Sequence, residues 1–267
     1  MIIWCDGQWI DERKPAAPAI DRGLTLGDGI FETVLWNGDR LLRFDLHAAR
    51  LHASARSLDL PPPPVADALA ELAVTTLRKN AIANARAAVR ITWSAGAAAR
   101  GLARPDQAAP MLIVSVAPSA RLETPATLAT SRIRRNETAP SARHKTLSCI
   151  DNVMALHEAL GAGAEEALLL NSAGNLACGA RTNLICVLDD LAVTPRVEDG
   201  ALPGTVRAAL MASGLVVRPL TTADLARAEA VAITNALQGI RTVARCDGRA
   251  LAGDHPLILR LRAGLDM

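Results

Sequence analysis

The chain predicts a mixed α/β protein of the α+β kind, in which short hairpins outnumber regular β–α–β alternation, so a doubly wound parallel sheet is not expected. Three observations carry this. Asp6-Gly7 and Asn37-Gly38 each sit between short apolar runs, and such dipeptides close tight hairpins because both residues tolerate left-handed backbone. Helical spacing of apolar residues occurs in a few separate stretches rather than after every strand. With 267 residues, half of them apolar, the chain can bury one large core or two modest ones.

Taken in order, Ile2-Ile3-Trp4 and Gln8-Trp9-Ile10 form the first hairpin, followed by a Pro/Ala loop. Asp21 to Gly29 is glycine-rich and tightly turned. Ile30 to Trp36 is a strand that Asn37-Gly38 returns into a second strand through Leu41-Leu42. Asp45 caps a helix with Leu46, Ala49, Leu51, Ala53 and Leu58 on its apolar face, which stops at Pro61. The prolines 61–64 form a rigid connector to a second helix over Val65 to Arg78. Ala87 to Trp93 and Met111 to Val116 are strands, separated by a small-residue loop that ends at Arg100-Gly101. Pro118 to Pro125 is polar and turn-rich, which divides the chain into an N-terminal α/β domain at 1–117, an interdomain linker at 118–125 and a C-terminal domain at 126–267. In the latter, a helix with apolar Val153, Met154, Leu156 and Leu160 follows Lys145. Strands at Ala167 to Leu170, Leu184 to Leu188 and Val231 to Thr234 come next. Pro203-Gly204-Thr205-Val206-Arg207 opens a helix whose unpaired N–H groups and positive dipole end favour an anion.

Composition removes several function classes. The formal charge is +2, aromatics are 2% and tyrosine is absent, so neither electrostatic nucleic-acid binding nor base stacking is expected. Cys5, Cys149, Cys178, Cys186 and Cys246 are scattered without metal-ligand spacing, which fits reduced thiols and no metal site. No apolar run reaches membrane-spanning length, and Met1-Ile2-Ile3-Trp4 leads into polar residues rather than a signal peptide's long apolar core. The expectation is a soluble, cytoplasmic protein. Of its three lysines, Lys14 and Lys79 stand in ordinary solvated settings, whereas Lys145 lies in Ser141-Ala142-Arg143-His144-Lys145-Thr146-Leu147-Ser148 between a turn and an apolar helical pattern. Only an amine condenses with an aldehyde; a guanidinium does not.

Several motifs in one order then carry a resemblance. They are Arg22-Gly23 with Gly27-Asp28-Gly29-Ile30-Phe31-Glu32-Thr33, His47-Ala48-Ala49-Arg50-Leu51, the Arg100-Gly101 loop, and His144-Lys145-Thr146-Leu147. Thr182-Asn183, Leu202-Pro203-Gly204 and Thr234-Asn235-Ala236-Leu237 complete the set. From about Ile20 to Val243 the chain resembles the class IV, or fold-type IV, pyridoxal-phosphate-dependent aminotransferases, which include D-amino-acid and branched-chain aminotransferases and 4-amino-4-deoxychorismate lyase. The resemblance implies a small N-terminal α/β domain, a C-terminal pseudo-barrel domain containing the cofactor lysine, a homodimer and pyridoxal 5'-phosphate as cofactor. It implies that Lys145 joins the cofactor aldehyde and moves the proton at the substrate's α-carbon. Arg50 would hold the phosphate, with backbone amides of Gly204, Thr205 and Val206 and a second turn at Ala236 and Leu237. Phe31 and Arg100 would contact the substrate, Arg100 through a carboxylate and often across the dimer interface.

Three positions depart from relatives of this kind. Phe31 replaces a tyrosine and Leu102 a histidine of the D-amino-acid enzymes, while Asn235-Ala236-Leu237 resembles the lyase. Cys178 occupies the position of the glutamate that faces the cofactor's ring nitrogen. A carboxylate keeps that nitrogen protonated and the ring a stronger electron sink; a neutral thiol does not, and a thiolate would. The functional expectation is therefore an aminodeoxychorismate lyase, with a D-amino-acid or branched-chain aminotransferase as the alternative. A catalytically weakened or non-catalytic homologue is the third reading.

Overall fold

The computed structural model describes residues 1–14 and 16–267; Pro15, in the expected Pro/Ala loop, lies outside them. The chain divides into two compact units, residues 1–120 with 144–148, and residues 121–143 with 149–267.

The first unit is an antiparallel five-stranded sheet with helices on one face. Its elements are β1 (Ile2–Cys5), β2 (Gln8–Asp11), α1 (Arg22–Leu26), β3 (Gly29–Trp36), α2 (Phe44–Ser57), α3 (Ala66–Lys79), β4 (Ala87–Ser94) and β5 (Met111–Pro118). The strand order is β2-β1-β5-β4-β3. Asp6 and Gly7 have φ of 43° and 94°, the left-handed pair a two-residue hairpin demands. Alternation along the strands sends Ile30, Val34, Val89, Ile91 and Val114 into a core completed by Leu51 of α2 and by Leu69, Ala73 and Leu77 of α3. Phe31, Thr33, Arg90, Thr92, Ile113 and Ser115 have the opposite parity and are less buried.

Several local expectations change. Leu41 makes only an isolated bridge to Trp36, so no second strand forms after Asn37-Gly38. Asp45 lies in the first turn of α2 rather than capping it; the cap is Arg43, with φ 52°. The tight stretch after Asp21 contains α1, capped by the Asp21 carboxylate accepting from Leu24 N and closed by Gly27 at φ 67°.

The second unit is a curled nine-stranded sheet with helices. Its elements are β6 (Ala126–Arg135), α4 (Pro140–Arg143), α5 (Ile150–Gly161), β7 (Glu166–Asn171), β8 (Leu176–Gly179), β9 (Asn183–Leu188), β10 (Leu191–Thr194), α6 (Thr205–Met211), β11 (Val216–Val217), α7 (Thr222–Arg227), β12 (Ala230–Asn235), β13 (Gly239–Cys246), β14 (Arg249–Ala250) and α8 (Pro256–Ala263). The order is β11-β10-β9-β12-β13-β6-β7-β8, with β14 on β13. β7, β8 and β9 are buried throughout, as expected of strands covered on both faces. On α5 the expected apolar face is only partly inward: Leu156 packs against the core beside Ala155 and Ala159, while Val153, Met154 and Leu160 are exposed. Pro203 precedes the helix cap instead of occupying the first turn, because Gly204 caps α6.

The expected boundary put Lys145 in the C-terminal domain. The segment 144–148 instead folds with the first unit, because its backbone hydrogen-bonds to β3. Among the described residues no helix is long and apolar enough to cross a membrane, and no group of His, Cys, Asp or Glu is placed to hold a metal.

Candidate active site

In the first unit, Phe31 N donates to Lys145 O and Leu147 N to Gly29 O, each at 2.9 Å, while Thr146 bridges Ile30. The lysine segment therefore extends the sheet past β3. Gly29 has to be glycine here, since a Cβ would come within 2.8 Å of Leu147 Cδ1 and 2.7 Å of Trp93 O. Lys145 is half-buried, and its Nζ lies 4.2 Å from the centroid of the Phe31 ring. The Arg90 guanidinium lies 3.8 Å from the same ring. Arg90 was absent from the sequence-derived candidates. Its signal was parity: in Ala88-Val89-Arg90-Ile91-Thr92 it falls opposite the core residues, and in the sheet it pairs with Thr33.

The next residue along β3 points the other way. Glu32 is 1% exposed, and α2 presents His47 and Arg50 to it from successive turns. Arg50 Nε donates to Glu32 Oε1 at 2.8 Å and Nη2 to Oε2 at 2.6 Å; His47 Nδ1 lies 2.7 Å from Oε2. Burial pushes the Glu32 carboxyl up, but the hydrogen bonds from Arg50 and His47 outweigh it and hold it at about 2. Burial lowers His47 against the pull of Glu32, so the imidazole is neutral near pH 7 and donates its Nδ1–H to the carboxylate. The result is an arginine fixed in orientation by a two-point carboxylate grip. Arg100 differs: it is exposed and makes no hydrogen bond or ion pair among the described residues.

In the second unit, Asn183 organises a cluster. Its Nδ2 donates to Leu202 O at 2.8 Å, tying the 202–204 segment to β9, and it pairs with Thr234 across β12. A Cβ on Gly204 would come within 2.0 Å of Asn183 Oδ1, so only glycine permits this approach. Thr205 and Val206 are buried in the first turn of α6. Beyond β12, Asn235 Oδ1 accepts from Leu237 N at 3.0 Å and Gln238 N at 2.8 Å, fixing the Ala236-Leu237 turn but engaging the Leu237 amide. The hydroxyls of Thr182 and Thr234 are buried without a hydrogen-bond partner among the described residues. Sequence reasoning quoted both threonines within motifs but gave neither a role.

Cys178 is buried with Ala155, Ala159, Ala167 and Leu169. Burial pushes its thiol up to about 11, with Arg135 opposing and Glu166 adding to the rise, so it is neutral near pH 7. The thiolate option is thereby removed for this structure.

These residues can be tested against pyridoxal phosphate. A half-buried amine is present for its aldehyde, and an oriented guanidinium for its phosphate. The hydroxyls of Thr234, which pairs with Asn183, and of Thr182, which lies against Gly179, are buried without partners among the described residues, and an unsatisfied buried hydroxyl is costly unless something polar meets it. The chain fits the group in these respects. It departs at the position of Cys178, where no carboxylate is offered.

The comparisons with known proteins agree. The model of the amino-transferase class IV family matches residues 29–246. A bifunctional aminodeoxychorismate lyase / D-amino acid transaminase of Mycobacterium tuberculosis is 28% identical over 94% of this chain and 93% of its own. A crystal structure from Legionella pneumophila, provisionally named a 4-amino-4-deoxychorismate lyase, superposes with a TM-score of 0.88 at 30% identity, covering 95% of each chain. A hypothetical aminotransferase from M. tuberculosis in a pyridoxal-phosphate-bound form has a TM-score of 0.84 at 26% identity, over 99% of this chain and 98% of its own.

Proposed function

The chain belongs to the class IV aminotransferase family, a pyridoxal-phosphate-dependent enzyme family, and from that premise we propose that it releases pyruvate and 4-aminobenzoate from 4-amino-4-deoxychorismate. The observation that carries a covalent role is that Lys145, alone of the three lysines, is half-buried, its amine 4.2 Å from the Phe31 ring, while Lys14 and Lys79 are exposed.

Bound pyridoxal phosphate supplies an aldehyde for an amine and a ring that withdraws electrons from the substrate's α-carbon. Lys145 would be the residue that holds the cofactor by its aldehyde and, once displaced by the substrate amine, would carry the proton to and from the α-carbon. Arg50, aimed by Glu32, would hold the phosphate, as would the backbone at Gly204, Thr205 and Val206 and the Ala236-Leu237 turn. Arg100 would take a substrate carboxylate, and Phe31, whose ring lies 4.2 Å from Lys145 Nζ, would supply an apolar wall beside that amine. Cys178, a buried neutral thiol, would offer the ring nitrogen no carboxylate, and the electron sink would be correspondingly weak.

That weakness favours the lyase. Amino exchange needs the sink in both halves of each turnover, whereas the lyase needs it once and ends in an aromatic ring. The bifunctional Mycobacterium relative supports a second reading, acceptor-dependent transfer from D-amino acids, and relatives named branched-chain-amino-acid aminotransferases support the same from branched-chain acids. Cys178 likewise supports a catalytically weakened homologue. A cytoplasmic homodimer completes the proposal. Incubation of the purified protein with 4-amino-4-deoxychorismate and no acceptor should yield pyruvate and 4-aminobenzoate. Amino exchange that requires a 2-oxo acid would replace the lyase by the transaminase, and bound cofactor without turnover of either kind would leave the weakened homologue.

A further inference from the structure

The loop that carries Arg100 is exposed from Arg100 through Arg104, yet a buried side chain grips its backbone. Arg22, 4% exposed, donates through Nη1 to Gly101 O at 3.2 Å and Ala103 O at 3.1 Å, and through Nη2 to Leu102 O at 2.8 Å. Its Nε donates to Asp28 Oδ2 at 2.8 Å. The same carboxylate receives Arg104 from the far end of the loop, Nε on Oδ2 at 3.0 Å and Nη2 on Oδ1 at 2.6 Å, while Arg104 Nη1 reaches Leu58 O at 2.5 Å and Asp59 O at 3.2 Å. Gly101 has φ 123°, a conformation that suits only glycine. The Arg22 backbone is itself fixed, its N–H on Gly96 O at 2.8 Å, next to Asp21, whose carboxylate accepts from Ser94 Oγ at 2.7 Å.

A buried arginine is costly unless its donors are met, and here three of the acceptors are consecutive carbonyls of a solvent-exposed loop. Such a loop is ordinarily among the more mobile parts of a domain. Salt bridges at both ends of Asp28 and a fork on three carbonyls instead restrict the backbone immediately after Arg100, and Arg100 itself is left without a partner among the described residues. We propose that Arg22, with Asp28 and Arg104, is a positioning device that holds the 100–104 backbone so that Arg100 is presented to a substrate carboxylate. This rests on the carboxylate role given to Arg100 above. Pre-organisation of this kind lowers the ordering cost of binding, so its loss is read in KM more than in kcat.

The experiment is a double-mutant cycle in the cofactor-loaded full chain with Arg22→Lys, Arg100→Ala and the pair. The substrate is 4-amino-4-deoxychorismate, or D-alanine with 2-oxoglutarate if the enzyme proves acceptor-dependent. Arg22→Lys keeps the charge but cannot span three carbonyls. It should raise KM roughly tenfold with kcat within about twofold, and the pair should be no worse than Arg100→Ala alone. Multiplicative effects in the pair, an unchanged KM, or a loss confined to kcat would overturn the proposal. If Arg22→Lys does not fold, Arg104→Ala, at the outer end of the clamp, should still raise KM about threefold, and an unchanged KM there overturns it equally. If Arg100→Ala itself leaves KM unchanged, the carboxylate reading fails and this inference with it; if Arg100→Ala raises KM and the clamp variants do not, only the clamp fails.

Discussion

The two units fix their candidate site residues in opposite ways. The first relies on charge that is neutralised nearby: Glu32 answers Arg50 with His47 alongside, and Asp28 answers Arg22 and Arg104. The second relies on neutral groups and close backbone approach: Gly204 against Asn183, the Asn235 turn, the hydroxyls of Thr182 and Thr234, and an un-ionised Cys178. The difference separates orientation from shape. A buried cation keeps one direction only when a carboxylate fixes it, whereas a glycine turn needs no counter-charge but tolerates no added atom.

Breaking the covalent link has the largest expected effect. Lys145→Ala should lower turnover by roughly a thousandfold or more and abolish the visible absorbance of lysine-bound cofactor, with the circular dichroism of the fold unchanged.

Next comes the charged grip. Glu32→Gln removes the partner that aims Arg50 and should weaken cofactor affinity by about ten- to a hundredfold, as measured by spectral titration, with a stability loss on the order of 3 kcal/mol. Unchanged affinity would mean that Arg50 holds its direction without Glu32. The same triad sets a pH dependence. His47 titrates below its ordinary 6.5 in the fold, so the unfolded chain binds its proton first and stability drops as the pH falls through that value. Glu32, at about 2 against an ordinary 4.5, adds a second loss between those limits. Denaturant midpoints should therefore decline from pH 7 to 5 and more steeply below 4.5, and Glu32→Gln should flatten the lower segment.

In the neutral unit the effects are smaller. Gly204→Ala drives a methyl toward Asn183 and should cost about 1–3 kcal/mol of stability while weakening cofactor binding. Cys178→Glu is the mildest: with the carboxylate restored, the rate of any step that removes the α-proton should rise severalfold, provided the cofactor still binds. An unchanged rate with cofactor bound would contradict the account of the ring nitrogen.

The legibility of the sequence followed the same division. The apolar runs of β3, β4 and β12, alternating in the first two and buried throughout most of the third, were visible from apolar residues alone. β6 was not, because Ser131, Arg132, Arg134 and Arg135 give it the composition of a surface loop, and β13 opens on glycine. α5 misled because alanines, able to sit close to a sheet, took the buried face from larger residues. Lys145 was identified by chemistry and motif, but its attachment to β3 is a pairing between segments far apart in sequence, which no local pattern encodes. The motif also named Arg50 without revealing that Glu32 fixes it. The ionisation of Cys178 depends on burial, a property of the folded chain alone.

The most direct measurement is borohydride reduction of the cofactor-loaded protein followed by peptide mass mapping. A phosphopyridoxyl group on the peptide containing Lys145, and on no other, is the predicted result. Label on Lys14 or Lys79 instead, or none at all in protein that has bound the cofactor, would contradict the assignment of the amine on which the proposed chemistry rests.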